Sequence, residues 1–173
     1  MLPLAPLAEK DRVILMGSHT SSEQFTEMKT FHRVQIAGSV KIVAYSAHAY
    51  DLGVRTLVSV YSMDDWGKDA NKAVVKGFTG RGGKILAEIG VAVGETDYKA
   101  PLTKIKELKP DGVFTNIHET DCVYLYKLAY EWGLSHPTIK WHCHLKSDYF
   151  KNTYPETVEN IYFYLPTIDT NAP

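Results

Sequence analysis

No apolar run in this chain comes near the roughly 20 residues that a bilayer-spanning helix needs, so a helical membrane span is excluded. A basic excess is missing too: 19 Lys and Arg stand against 20 Asp and Glu, for a formal net charge of −1. Without that surplus, nucleic acid and anionic membrane surfaces are poor partners. Cysteine is scarce, and the two present, Cys122 and Cys143, fall on a predicted helix and a predicted strand. They are expected to be separate buried thiols and not a disulfide, and they do not fix the redox compartment. The opening Met-Leu-Pro-Leu-Ala-Pro-Leu-Ala8 lacks the cationic start and apolar core of a secretory signal, so no export address is expected in the sequence as written. No internal repeat or low-complexity tract is present.

What the chain does have is a globular balance, 45% apolar and 23% charged residues. Its 173 residues are enough for one well-buried domain and short for two of ordinary size. Arg12 to Met16 is a short apolar run followed by a Ser- and Thr-rich loop up to Thr30. From Val40 the positions Val40, Val43, Ala44 and Ala47 recur at helical spacing, with Gly53 as the stop. Arg55 to Tyr61 reads as a buried strand. Asp64 or Asp65 then caps a helix with Ala70, Ala73, Val74, Gly77 and Phe78 inward, ended by Gly80-Arg-Gly-Gly83. That glycine run follows a helix instead of opening one, so it is a stop and not a phosphate loop.

Lys84 to Val91 is the next strand, and Thr96 or Asp97 caps a short helix with Leu102, Ile105 and Leu108 inward. Gly112 to Ile117 returns as a strand, and Glu119 to Trp132 is a helix burying Cys122, Leu125, Tyr126 and Ala129. Thr138 to His142 and Asn160 to Leu165 complete the strands. Strands alternating with helices through short connections pair in parallel with right-handed crossovers. The expected fold class is α/β, a three-layer αβα open parallel sheet of Rossmann-like type.

In such a sheet the strand carboxyl ends and the helix amino ends gather in one crevice. Those ends are Gly17 to Ser21, Met63 to Gly67, Asn116 to Glu119 and His142 to His144. Ser18, His19, Thr20 and Ser21 offer hydroxyls and amides suited to a carboxylate, or they form a turn that caps the next segment. Trp66 at a strand end is a ligand wall, with a helix staple as the competing role. Asn116 and His118 alternate along one strand, as ligand contacts or as helix-capping residues. In Trp141-His-Cys-His144, His142 and His144 share one side, but zinc needs three or four convergent ligands and this spacing supplies two, which disfavours a metal. Asp97 and Asp111 fall at cap and turn positions and carry no chemistry. No cofactor is expected.

Three phrases, Tyr61-Ser-Met-Asp-Asp-Trp-Gly67, Gly94-Glu-Thr-Asp-Tyr98 and Lys109-Pro-Asp-Gly-Val-Phe114, in this order, resemble the type I periplasmic binding proteins of the branched-chain-amino-acid group. The resemblance runs over nearly the whole chain but spans about half of such a protein. It implies a remnant of a first lobe and a crossover over residues 1–37, a second α/β lobe over 38–165, and the start of a return crossover over 166–173. It implies an extracytoplasmic, periplasmic or extracellular solute-binding component of an ABC importer, partnered by a permease. The ligand would be a small amino acid or an organic or aromatic acid, held by Ser18, His19, Thr20, Trp66, Asn116, His118 and His144. Relatives often carry an acidic group at the strand end after Trp141; none stands between Trp141 and Lys146, which leaves room for acids held by imidazoles. Two other readings compete: a metal-assisted α/β enzyme using His118, His142 and His144, and a sensory ligand-binding domain. The orphan segment Met1 to Thr30 is expected to be mobile, or to dock its strand on the lobe edge or on a second copy in a homodimer.

Overall fold

The computed structural model describes residues 4–18, 25–34, 36–135, 137–143, 155–158 and 161–164. A five-stranded, wholly parallel sheet is built from β3 (Thr56–Ser62), β4 (Lys84–Val91), β5 (Gly112–Asn116), β6 (Lys140–Cys143) and β7 (Ile161–Phe163), in the spatial order β4-β3-β5-β6-β7. Helices α2 (Gly38–Asp51) and α3 (Asp65–Gly80) cover one face, and α4 (Lys99–Leu108) and α5 (Glu119–Glu131) cover the other. A single-turn helix, α6 (Pro155–Val158), precedes β7. The expected α/β three-layer architecture is what the chain adopts.

Each face has its own core. On the α2–α3 side Ile42, Leu57, Val74, Phe78 and Phe114 are fully buried. On the α4–α5 side Val58, Val60, Leu102, Ile105, Val113, Leu125 and Trp141 are. Cys122 and Cys143 lie together in this second cluster without a disulfide, and burial first, then the adjacent Cys143, raises the Cys122 thiol pKa well above the ordinary thiol range.

The inner faces expected for α3 and α5 are the buried ones; for α2 the face is turned. Its buried positions are Gly38, Ile42, Ser46 and Ala49, whereas Val40 is 62% exposed and Ala44 is exposed. The reason is the crossing with α3. A Cβ on Gly77 would run into Ser46 Oγ and the Val43 carbonyl, so two backbones approach where only small side chains fit. The small residues Ser46 and Gly77, and not the largest aliphatics, set the contact.

The three phrases are strand–helix junctions. Asp111 ties the starts of β3 and β5, its Oδ2 accepting from Arg55 N at 3.0 Å and from Thr56 N and Oγ1 at 2.8 Å each. Asp121 Oδ2 accepts from Gly94 N at 2.9 Å, and Asp97 Oδ1 accepts from Lys99 N at 3.0 Å, so the loop before α4 is held from both sides. The cap position of α4 is Tyr98, one residue past Asp97 and two past Thr96, the two expected, because its buried ring anchors the turn from inside.

The amino-terminal part forms a separate unit: α1 (Ala5–Asp11) and a two-stranded parallel sheet of β1 (Leu15–Gly17) and β2 (Phe31–Arg33). The strand expected at Arg12 to Met16 starts later, because Arg12 adopts the left-handed conformation that ends α1, with φ 53°. Its partner is β2, from just past the segment read as a polar loop, and not the edge of the large sheet. Glu9 Oε1 accepts from Thr30 N at 2.6 Å and Thr30 Oγ1 at 2.8 Å, and Phe25 stacks on Phe31 at 4.2 Å over Ala5.

His142 is fully buried in an aromatic column, stacked on Tyr162 at 5.0 Å and Phe114 at 6.2 Å, with Nδ1 2.8 Å from the Tyr164 hydroxyl. Burial, aided by the charges of Lys140 and His48, pushes its pKa down to about 3. The unfolded chain takes up that proton near pH 6.5. Between the two values the unfolded state binds more protons, so stability falls as pH falls. Hydrogen bonds from Thr56 and Arg55 outweigh burial and hold the Asp111 carboxyl below its ordinary range, so it stays ionised between about pH 7 and about pH 5. Urea midpoints should therefore drop from about pH 7 to about pH 5 for the native chain, and His142→Phe should flatten that dependence; equal slopes would refute the assignment. Independently, Gly77→Val should cost on the order of 1–3 kcal/mol by overpacking, while Gly80→Ala, with open space at its Cβ, should be neutral or slightly stabilising in the same denaturation experiment.

Candidate functional site

Sheet order alone marks one crevice. Strand β3 sends α3 over one face to β4, while β5 sends α5 over the opposite face to β6. Between β3 and β5 the connections diverge, so their carboxyl ends open on a gap that no crossover covers, the switch point where ligands bind in sheets of this class.

Asp64 and Trp66 follow β3; His118 follows β5. Asp64 resolves the choice of cap: its Oδ1 accepts from Gly67 N at 2.8 Å and its backbone is extended, so it is the N-cap of α3. Gly67 is required there, because a Cβ would collide with the Ser62 carbonyl as the chain turns off the strand. The second oxygen, Oδ2, lies 2.7 Å from His118 Nε2. The Trp66 ring packs on that imidazole, with centroids 5.1 Å apart and planes at 39°. One carboxylate thus caps a helix and holds a histidine from the neighbouring strand end. Both side chains remain partly open, 42% for His118 and 34% for Asp64. The first turns of α3 and α5 add the exposed carboxylates Asp65 and Glu119, while Asp121 is buried and bonded to Gly94 N.

Trp66 and His118, named from sequence, are therefore brought together. Asn116, two residues before His118, is fully buried, and neither of its amide atoms has a hydrogen-bond partner among the described residues. By strand alternation it points the same way as Phe114, toward the α2–α3 layer. Ser18 is exposed at the end of β1, in the amino-terminal unit. His19, Thr20 and His144 lie outside the described residues. His142 of the enzyme reading sits in the aromatic column, and among the described residues no group of three or more His, Cys, Asp and Glu could hold a metal ion. Asp64 was legible only as a cap; its second role needed the pairing of β3 with β5.

A family model described as periplasmic binding protein matches residues 1–172. The chain belongs to the periplasmic binding protein family. Among solved structures it is similar to a solute-binding protein of an ABC transporter from Rhodopseudomonas palustris, bound to 3,4-dihydroxybenzoic acid, at 25% identity and TM-score 0.72, covering 82% of this chain and 39% of that one. It is also similar to a leucine-binding protein from Thermotoga maritima at 20% identity and TM-score 0.75, covering 91% and 43%. A branched-chain amino acid ABC transporter protein from Rhodospirillum rubrum gives 16% identity and TM-score 0.77, covering 91% and 45%. The chain thus spans less than half the length of these structures. No curated protein sequence matches it.

The Asp64 fork gives a direct test. Asp64→Ala should lower stability by about 0.5–2 kcal/mol through the lost cap, and should release the His118 ring, seen by NMR as loss of the contact between its protons and the Trp66 indole.

Proposed function

We propose that this chain supplies one jaw of an extracytoplasmic solute-binding protein serving an ABC importer, and that it binds a small amino acid or aromatic acid at the β3–β5 switch point. The observation that carries this reading is the Trp66–His118–Asp64 group at that crevice. An indole face and a fixed imidazole are suited to a small ring or side chain with one polar end. Similar proteins bind the same two classes, one holding 3,4-dihydroxybenzoic acid and another, from Thermus thermophilus, valine. The proposed division is a first-lobe remnant and crossover over 1–37, the ligand-contacting lobe over 38–165, and a return crossover from 166. Ser18 and Thr20 would take the ligand carboxylate from the first-lobe side, and Asn116 and His144 would line the second. Binding, and not turnover, is the proposed role, with a permease as the partner of the complete protein.

Pockets of this kind bury most of the ligand, and one jaw offers about half of that contact. The chain by itself should therefore bind with a dissociation constant on the order of 1 mM or weaker. An NMR titration with L-leucine and with 4-hydroxybenzoate should move the Trp66 indole and His118 ring signals. No shift with either probe at tens of millimolar would overturn the site, and micromolar affinity would overturn the half-cleft reading.

A further inference from the structure

The Asp64–His118 contact says more than that the ring is held. A carboxylate oxygen only accepts, so in the neutral ring the nitrogen facing Asp64, Nε2, carries the proton. The other nitrogen, Nδ1, is then a bare acceptor. It is not spent on capping: α5 has no side-chain cap bond from His118, and among the described residues the ring makes no hydrogen bond besides that to Asp64. Nor is it buried, since the side chain is 42% exposed beside Trp66. Around it stand the acidic first turns of α3 and α5, with Asp65 and Glu119 exposed. A carboxylate placed here would face a lone pair and negative charge; a hydroxyl or an ammonium would find an acceptor.

We propose that Asp64 is a positioning residue that sets ligand polarity: by fixing the tautomer of the neutral His118 ring it makes this wall an acceptor, so the ligand end seated against Trp66 and His118 is a hydrogen-bond donor. This inference rests on the binding role proposed above and narrows it. The ligand is a small acid with a donor at the end remote from its carboxylate or beside it, a phenol hydroxyl or an ammonium, lying with that donor on this lobe. An acid without a donor leaves Nδ1 dehydrated and unpaired and is rejected for that reason.

The test uses the chain with its histidines labelled with 15N, read by long-range proton–nitrogen correlation at about pH 8.5, above the usual imidazole range. The native ring should show Nε2 protonated and Nδ1 bare. Asp64→Asn keeps an oxygen for Gly67 N and turns an amide donor to the ring, so the tautomer should reverse. Two matched pairs of probes follow: 4-hydroxybenzoate with benzoate, and L-leucine with 4-methylpentanoate, which separate a phenol donor from an ammonium donor. In at least one pair the donor-bearing acid should bind roughly three- to tenfold more tightly, judged from the His118 Nδ1 shift, as for one net hydrogen bond. The advantage should shrink in Asp64→Asn.

A native ring protonated on Nδ1 overturns the proposal whatever binds, and needs no variant to fold. The expected tautomer with equal shifts from both members of each pair overturns it and leaves the binding role standing. The expected tautomer with no shift from any probe removes the binding role, and this inference with it.

Discussion

Parallel pairing is the constraint on which everything else rests. A parallel strand cannot return through a hairpin, so each strand of the sheet is reached through a crossover, here carried by α3, α4 and α5 between β3 and β6, and every helix amino end is delivered to the same edge. The edge alone is not a site. The candidate lies between β3 and β5, whose outgoing crossovers take opposite faces, and there the Asp64 carboxylate links the two strand ends. Its two oxygens serve different masters, one the first turn of α3 and the other the imidazole that begins α5.

Polar side chains of the lobe divide into those that hold junctions and those that find no partner among the described residues. Asp111, Asp121 and Asp97 are spent on backbone amides that would otherwise be unpaired at turns. Asn116, by contrast, is fully buried, and neither of its amide atoms has a partner among the described residues. Such a group costs free energy where it stands.

Legibility followed periodicity. The inner faces of α3 and α5 and the span of β4 were readable because their apolar stripes agree with the sheet they cover. The face of α2 was misread because hydrophobicity pointed to Val40 while the α3 crossing demanded Ser46 opposite Gly77. The strand after α1 was placed early because the run Val13-Ile-Leu-Met16 looks uniform, whereas the left-handed turn at Arg12 and pairing with β2 select Leu15 to Gly17. Trp66 and His118 were readable as separate strand-end residues; the contact between their rings was not.

The alternation of strands and helices in the large sheet and its parallel α/β class were legible from the residues in line, since these depend on spacing and local propensity. Which strands lie side by side, and hence that Asp64 meets His118 across 54 positions of chain, was decided only by the folded sheet. Local sequence cannot encode a contact whose geometry is set by which face each crossover takes.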